Sequence, residues 1–291
     1  MSTTAVTYPI VAALVKAEDM QGMGANRQWQ AVNDTQTRFL QEFFRACRDD
    51  VSRIREIESI ASWNVEEINA FLRQRGFTIQ LQPIDENTFG VASVLDLLVE
   101  WLVKGEVTTV RGVDRKDYPG VKISKGGVQF YNVHGHNSPI ALLETKTGDR
   151  VYLTMLDRAP NDGFDLIARA EALSRNLSSN REFGGLVFPM VDLDQRVDIG
   201  WLLGLKTTGD DGQPARITQA LQQTILKMNE VGARAKSAVA VAVMRSIEMP
   251  KPDLIINGPF LVWFERDGLA KPLFVGHITQ EDWRNPGDIT K

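Results

Sequence analysis

Apolar residues recur every three or four positions through TQTRFLQEFFRACRDDVSRIREIESI, with Asp and Arg on the other face. That spacing predicts a long amphipathic helix. Asn64 followed by Glu67 forms a capping-box pattern and starts a second helix, NVEEINAFLRQRGF, closed by Gly76. The period then drops to two. FTIQLQPID places Phe77, Ile79 and Leu81 on one side, as a half-buried strand does. VASVLDLLVEWLV is apolar almost throughout and fits a buried helix or a buried strand. VTTVRGV, GVQFYNV, PIALLETKTGDRVYLTML and GGLVFPMVDLDQRVDI read as strands, with a hairpin tip at Gly148-Asp149. One helix, GFDLIARAEALSRNL, interrupts them after Pro160, and LIINGPFLVWFE and KPLFVGHIT add two strand candidates near the end. Helices first and strands later predict an α+β fold: one domain over 1–291, mainly helical in 1–92 and sheet-rich in 93–291.

Composition narrows the functional classes. With 43% apolar and 24% charged residues in 291, the chain has ample material for a globular core. A net charge of −4, without a basic patch interleaved with aromatics, gives no pull toward nucleic acid or anionic lipid, so neither partner is expected. The N-terminus lacks a cationic start and a long apolar run, and no stretch is long enough to span a bilayer; a cytoplasmic location is the expectation. Cys47 is the only cysteine and sits in an apolar-periodic run, so a buried, inert thiol is expected there. His134 and His136 share a strand-like spacing without a third ligand nearby, and are expected in a turn. Asp192, Asp194 and Asp198 lack the glycine and closing Glu of a calcium loop. No GxSxG, HExxH, P-loop or dinucleotide fingerprint occurs. The expectation is a protein that is not an enzyme and needs no cofactor or metal.

The stretch Asn229 to Pro252, NEVGARAKSAVAVAVMRSIEMPKP, is strand-like yet too long for an ordinary strand. LIINGPFLVWF, downstream of it, is similar to the signature of the serpin family, an apolar strand running into Asn-x-Pro-Phe. Asn257, Pro259 and Phe260 carry the match, and Gly258 departs from it. KPLFVGHIT resembles the family's closing strand, and FPMVDLDQRVDIGWLLGL its strand and short helix. Asn229-Glu230-Val231-Gly232 resembles the family's acidic-x-Gly hinge, and AVAVAV its small-residue insertion segment. Gln222 stands where inhibitory members place a histidine. The likeness runs from about Val107 to Ile278, and the first third does not share it.

The resemblance implies a mechanism. A reactive loop, here 230–252, is cut by a target serine protease and inserts into a central sheet as an extra strand. The hinge residues would be Glu230, Gly232, Ala233, Ala235 and Ser237. Insertion demands that alternate residues be small or apolar; from Ala233 one set is Ala235, Ser237, Val239, Val241 and Val243, and both cations fall on the other. Counting from either end places the scissile bond near Ser246 or Glu248. The reactive centre is therefore expected across Met244, Arg245, Ser246 and Ile247, with cleavage after Arg245 and a trypsin-like target. The alternative is a non-inhibitory serpin-fold protein that binds another partner or builds an assembly, for which Trp201, Trp263 or Trp283 would offer an interface if exposed.

Overall fold

The computed structural model describes residues 1–20, 28–84, 90–97, 99–209, 212, 214–233 and 251–289. Strand β1 (Thr3–Ala5) leads into helix α1 (Tyr8–Met20), which buries Tyr8, Val11 and Leu14. Asn33 caps α2 (Asp34–Phe39) by accepting the Gln36 N–H; the helix widens through a π turn at Leu40–Phe44 and ends in α3 (Arg45–Cys47). The helix expected to continue to Ile60 stops here. Asp50 is buried and accepts bonds from Tyr8 Oη and the Ala270 N–H, which draws the chain off the helical path, and Ile57–Ser62 forms strand β2. Asn64 caps α4 (Val65–Gln74) through the Glu66 N–H, while Glu67 accepts from the Ser62 hydroxyl instead of closing a box. Gly76, at φ 82°, ends it.

The next two segments settle differently from their patterns. Residues 77–84, with strand-like alternation, join no ladder among the described residues. The ambiguous apolar run is strand: β3 (Gly90–Leu95) and β4 (Val99–Glu100). β5 (Glu106–Arg111) pairs with β6 (Asp117–Ser124), and β7 (Val128–Asn132), β8 (Ile140–Glu144) and β9 (Arg150–Met155) form a meander turning at Gly148, φ 85°. The Asp162 carboxylate accepts the Phe164 and Asp165 N–H groups and caps α5 (Gly163–Leu173).

The rest is strand. β10 (Ser178–Asn180), β11 (Gly185–Pro189) and β12 (Val191–Val197) precede a small hairpin of β13 (Lys206–Thr208) and β14 (Pro214–Arg216). β15 (Gln222–Met228), β16 (Gly232–Ala233), β17 (Asp253–Ile255), β18 (Phe260–Glu265) and β19 (Phe274–Ile278) complete the chain.

A seven-stranded sheet, ordered β1-β19-β18-β9-β8-β7-β10, and a four-stranded sheet, β17-β11-β6-β5, carry the main core. LIINGPFLVWFE thus splits between two sheets. Pro259 has no N–H to give a ladder, and the Asn257 and Pro259 carbonyls accept from Val113 and Leu156 as the chain crosses. Four further strands form two separate pairs, β2-β3 and β12-β15. Ile68 and Leu72 of α4 pack on Ala92 and Val94 as a second, smaller cluster, covered by Phe77, Ile79 and Leu81.

Several polar residues noted in the sequence have structural partners. His134 is exposed in a turn, while His136 accepts from Arg169 at Nδ1 (3.2 Å) and bonds Thr154 through Nε2 (2.8 Å). Asp194 accepts from Gln223, and Asp198 from the Gly200 N–H. Burial pushes the Cys47 thiol up to about 12. Trp263 and Trp283 are buried in the core, and Trp201, partly buried, packs against it with its ring 5.1 Å from that of Phe39.

Candidate functional site

The two strand pairs face each other across a gap. β2-β3 packs on α1 from one side, β12-β15 stands on the other, and no backbone ladder joins β3 to β15 among the described residues. A cavity of about 1150 Å³ lies there, lined by Gly90–Leu97 of the first pair, residues 221–227 of the second, and Ile10, Ala13 and Leu14 of α1 below. Among the described residues each of the two strands therefore has one edge unpaired with any strand, a template for a further strand.

At one end of the gap the chain leaving β15 turns sharply. Asn229, itself buried, folds the turn: its Oδ1 accepts the Val231 N–H (2.9 Å), and its own N–H donates to the Gly232 carbonyl (3.0 Å). The indole N–H of Trp101 donates to the Asn229 carbonyl (2.9 Å), the Gly105 N–H to the Glu230 carbonyl (2.8 Å), and the Trp101 N–H to the Val231 carbonyl (3.3 Å). These bonds clamp the turn to the segment after β4. The result is a short antiparallel pairing, Gly232 opposite Glu100 and Ala233 opposite Val99, at the mouth of the gap. Only glycine fits at 232. A Cβ there would stand 2.4 Å from the Val99 carbonyl oxygen and 2.8 Å from the Glu100 Cα.

Of the residues expected from the sequence, Glu230, Gly232 and Ala233 come together here, while Asn257, Pro259 and Phe260 sit apart at the crossing between the two large sheets. Ala235, Ser237, Met244, Arg245, Ser246 and Ile247 lie outside the described residues. The sequence reading named Asn229 within the hinge but gave no turn-holding role to it, to Trp101 or to Gly105. An Asn directly before the Glu-x-Gly hinge was the available signal, since Asn favours turns that bond back on their own backbone. It also missed Gln219 and Gln223. Gln223 Oε1 accepts the Thr78 and Ile79 N–H groups (2.7 and 3.2 Å), which ties residues 77–82 to β15.

Residues 194–281 match the family model for serpins, serine protease inhibitors. Serpin48 from the insect Tenebrio molitor superposes with a TM-score of 0.58 at 12% identity, over 96% of this chain and 92% of that one. Human thyroxine-binding globulin, solved with thyroxine, gives 0.56 at 13% over 95% and 91%, and the thermophilic serpin tengpin in its native state gives 0.58 at 13% over 96% and 88%. No curated protein sequence matches. The chain is a serpin-fold protein, mixed helices and large antiparallel sheets, and the likeness covers the first third that the sequence resemblance had left out.

Proposed function

We propose that this chain is a protease inhibitor whose loop, once cut, inserts as a strand into the gap between β3 and β15. The observation that carries the reading is the register at the mouth of the gap. Gly232 opposite Glu100 and Ala233 opposite Val99, continued without a slip, set Ser237 opposite Leu95, Val239 opposite Ser93 and Val241 opposite Val91. Opposed residues of an antiparallel pair share a face. Val91, Leu95, Leu97 and Val99 pack on the main core, so Ala233, Ala235, Ser237, Val239, Val241 and Val243 would meet the apolar floor over α1. Ala92 and Val94 belong to the other face, and with them go Arg234, Lys236, Ala238, Ala240 and Ala242. Lys236 then falls opposite Asp96, an opposite-charge cross-strand pair. Neither cation is driven into the core.

The chemistry belongs to the target. Its serine oxygen attacks the Arg245 carbonyl carbon, the Arg245–Ser246 amide bond breaks, and the Ser246 amine leaves with the serine's proton. An ester now joins protease and inhibitor. Insertion of residues 233–243 carries that ester away from the loop's original position, and a protease whose oxyanion hole is pulled out of shape does not complete hydrolysis.

The test is incubation with trypsin-like and chymotrypsin-like proteases, followed by denaturing electrophoresis. The reading requires a covalent species at the mass of the protease plus residues 1–245, with a released fragment whose new N-terminus is Ser246 for a trypsin-like enzyme. A second reading, a non-inhibitory binding protein, draws on the likeness to thyroxine-binding globulin, a protein solved with a bound small molecule, and on the apolar cavity. Cleavage without any covalent species favours it.

A further inference from the structure

Residues 77–82 form an extended strap whose backbone is held by side-chain amides instead of a neighbouring strand. Asn69 of α4 pairs with Leu81 in both directions, accepting its N–H (2.8 Å) and donating to its carbonyl (3.1 Å). Gln219, on the other side of the gap, does the same for Gln82 (2.8 and 3.1 Å). Gln223 takes Thr78 and Ile79, and its own amide nitrogen is fixed by Asp194 at 2.6 Å. The strap thus reaches from the α4 side to the β15 side. Gln223 alternates with Leu226 and Met228, which enter the main core, and shares its face with exposed Ile225 and Lys227. The strap therefore lies over the outer face of the gap, bonded to a side chain above β15 and leaving the backbone edge of that strand untouched.

Its own side chains point downward. Phe77, Ile79 and Leu81 line the cavity, and the place a Cβ on Gly90 would take is met by Ile68 Cδ1 of α4 and, from the strap, by Leu81 Cδ1 at 3.1 Å. In the continued register Gly90 is opposite Ala242, on this same face, with Ala240 opposite Ala92 and Ala238 opposite Val94.

We propose that the strap is a fixed roof, so that the gap receives a strand as a tunnel and the roof admits only small side chains at 238, 240 and 242. This rests on the insertion reading of the preceding section and adds its specificity rule: floor positions 239, 241 and 243 take valine, and roof positions 238, 240 and 242 take alanine. Leu81 sets the limit at 242, with Asn69, Gln219 and Gln223 as positioning residues.

The experiment follows nicked protein by its melting temperature. Wild type must first gain stability on nicking; if it gains none, the insertion reading fails and the roof with it, before any variant is made. Ala242→Phe is expected to be cut normally and to lose most of the gain in Tm, and Leu81→Ala combined with Ala242→Phe to recover it. Full gain in Ala242→Phe overturns the roof, and so does a double variant that folds and stays blocked. Amide exchange on nicked wild type decides independently of any variant's folding. The Leu81 and Gln82 N–H groups are expected to stay protected after insertion, and loss of that protection means that the strap is pushed aside, contrary to the proposal.

Discussion

Replacing Gly232 by alanine adds one methyl group where the chain turns onto β4. That methyl would stand 2.4 Å from the Val99 carbonyl oxygen, 2.8 Å from the Glu100 Cα and 3.2 Å from the Trp101 nitrogen. All three neighbours are backbone held by other bonds, so the turn must yield rather than the strand. Moving it forfeits the Gly232–Glu100 pairing, the Trp101 N–H bond to Val231 and the Asn229 N–H bond to Gly232. At about 1 kcal/mol net for each, with buried groups left unpaired, the loss is about 2–4 kcal/mol, within the usual range for an overpacked site. For a domain of this size that lowers Tm by about 3–7 °C. Trapping should fall further than stability suggests, because the displaced turn no longer aims the following residues along β3. The assays are a thermal melt and the ratio of covalent complex to cleaved loop on a denaturing gel, expected to drop about tenfold for a misdirection worth about 1.4 kcal/mol at the branch between trapping and release. A variant melting within about 1 °C of wild type, well under the shift expected from lost bonds, with an unchanged ratio, refutes the clamp.

Arg266 donates to both oxygens of Asp149, which is buried, and to both of Glu56; Arg266→Met strands that carboxylate and should cost about 3–5 kcal/mol in a denaturant melt. The same hydrogen bonds hold the Glu56 carboxyl below the usual carboxylate range, so its contribution is present above about pH 4.5 and is lost as the pH falls further; the acid limb of a Tm–pH curve should flatten in that variant. Burial, and for His136 the nearby Arg169 charge, keeps His136 and His277 below the ordinary histidine value. Both therefore stabilise above about pH 6.5, and Tm should begin to decline on acidification through about pH 6, before the carboxylates titrate. Cys47, fully buried, should resist a thiol reagent at pH 8 until the chain unfolds, and rapid labelling of folded protein would contradict its place in the core.

Much of the fold was legible because alternation and burial coincide. β15 alternates buried and exposed residues from Thr224 to Met228, β18 and β19 are apolar runs buried along their length, and the hinge glycine was identifiable before its close contact with Val99 was known. The misreadings have local causes. Ile57 to Ile60 kept a helical spacing by chance, while the buried Asp50 hub, which no periodicity registers, redirected the chain into β2. Phe77, Ile79 and Leu81 alternate as a strand does because the strap is extended, but their backbone partners are side chains on Asn69, Gln219 and Gln223, some of them about 140 residues away. The gap itself is a missing pairing between β3 and β15. Each strand carries an ordinary pattern, and only their placement leaves an edge unpaired among the described residues.

The most direct measurement is the melting temperature of the protein before and after a single cut within residues 244–247. β3 offers six residues and β15 seven to an incoming strand. If only about half of the resulting dozen or so bonds survive as net gain, near 1 kcal/mol each, Tm should rise by roughly 10 °C. An unchanged or lowered Tm in cleanly nicked protein would mean that nothing fills the gap, and the inhibitory account would not stand.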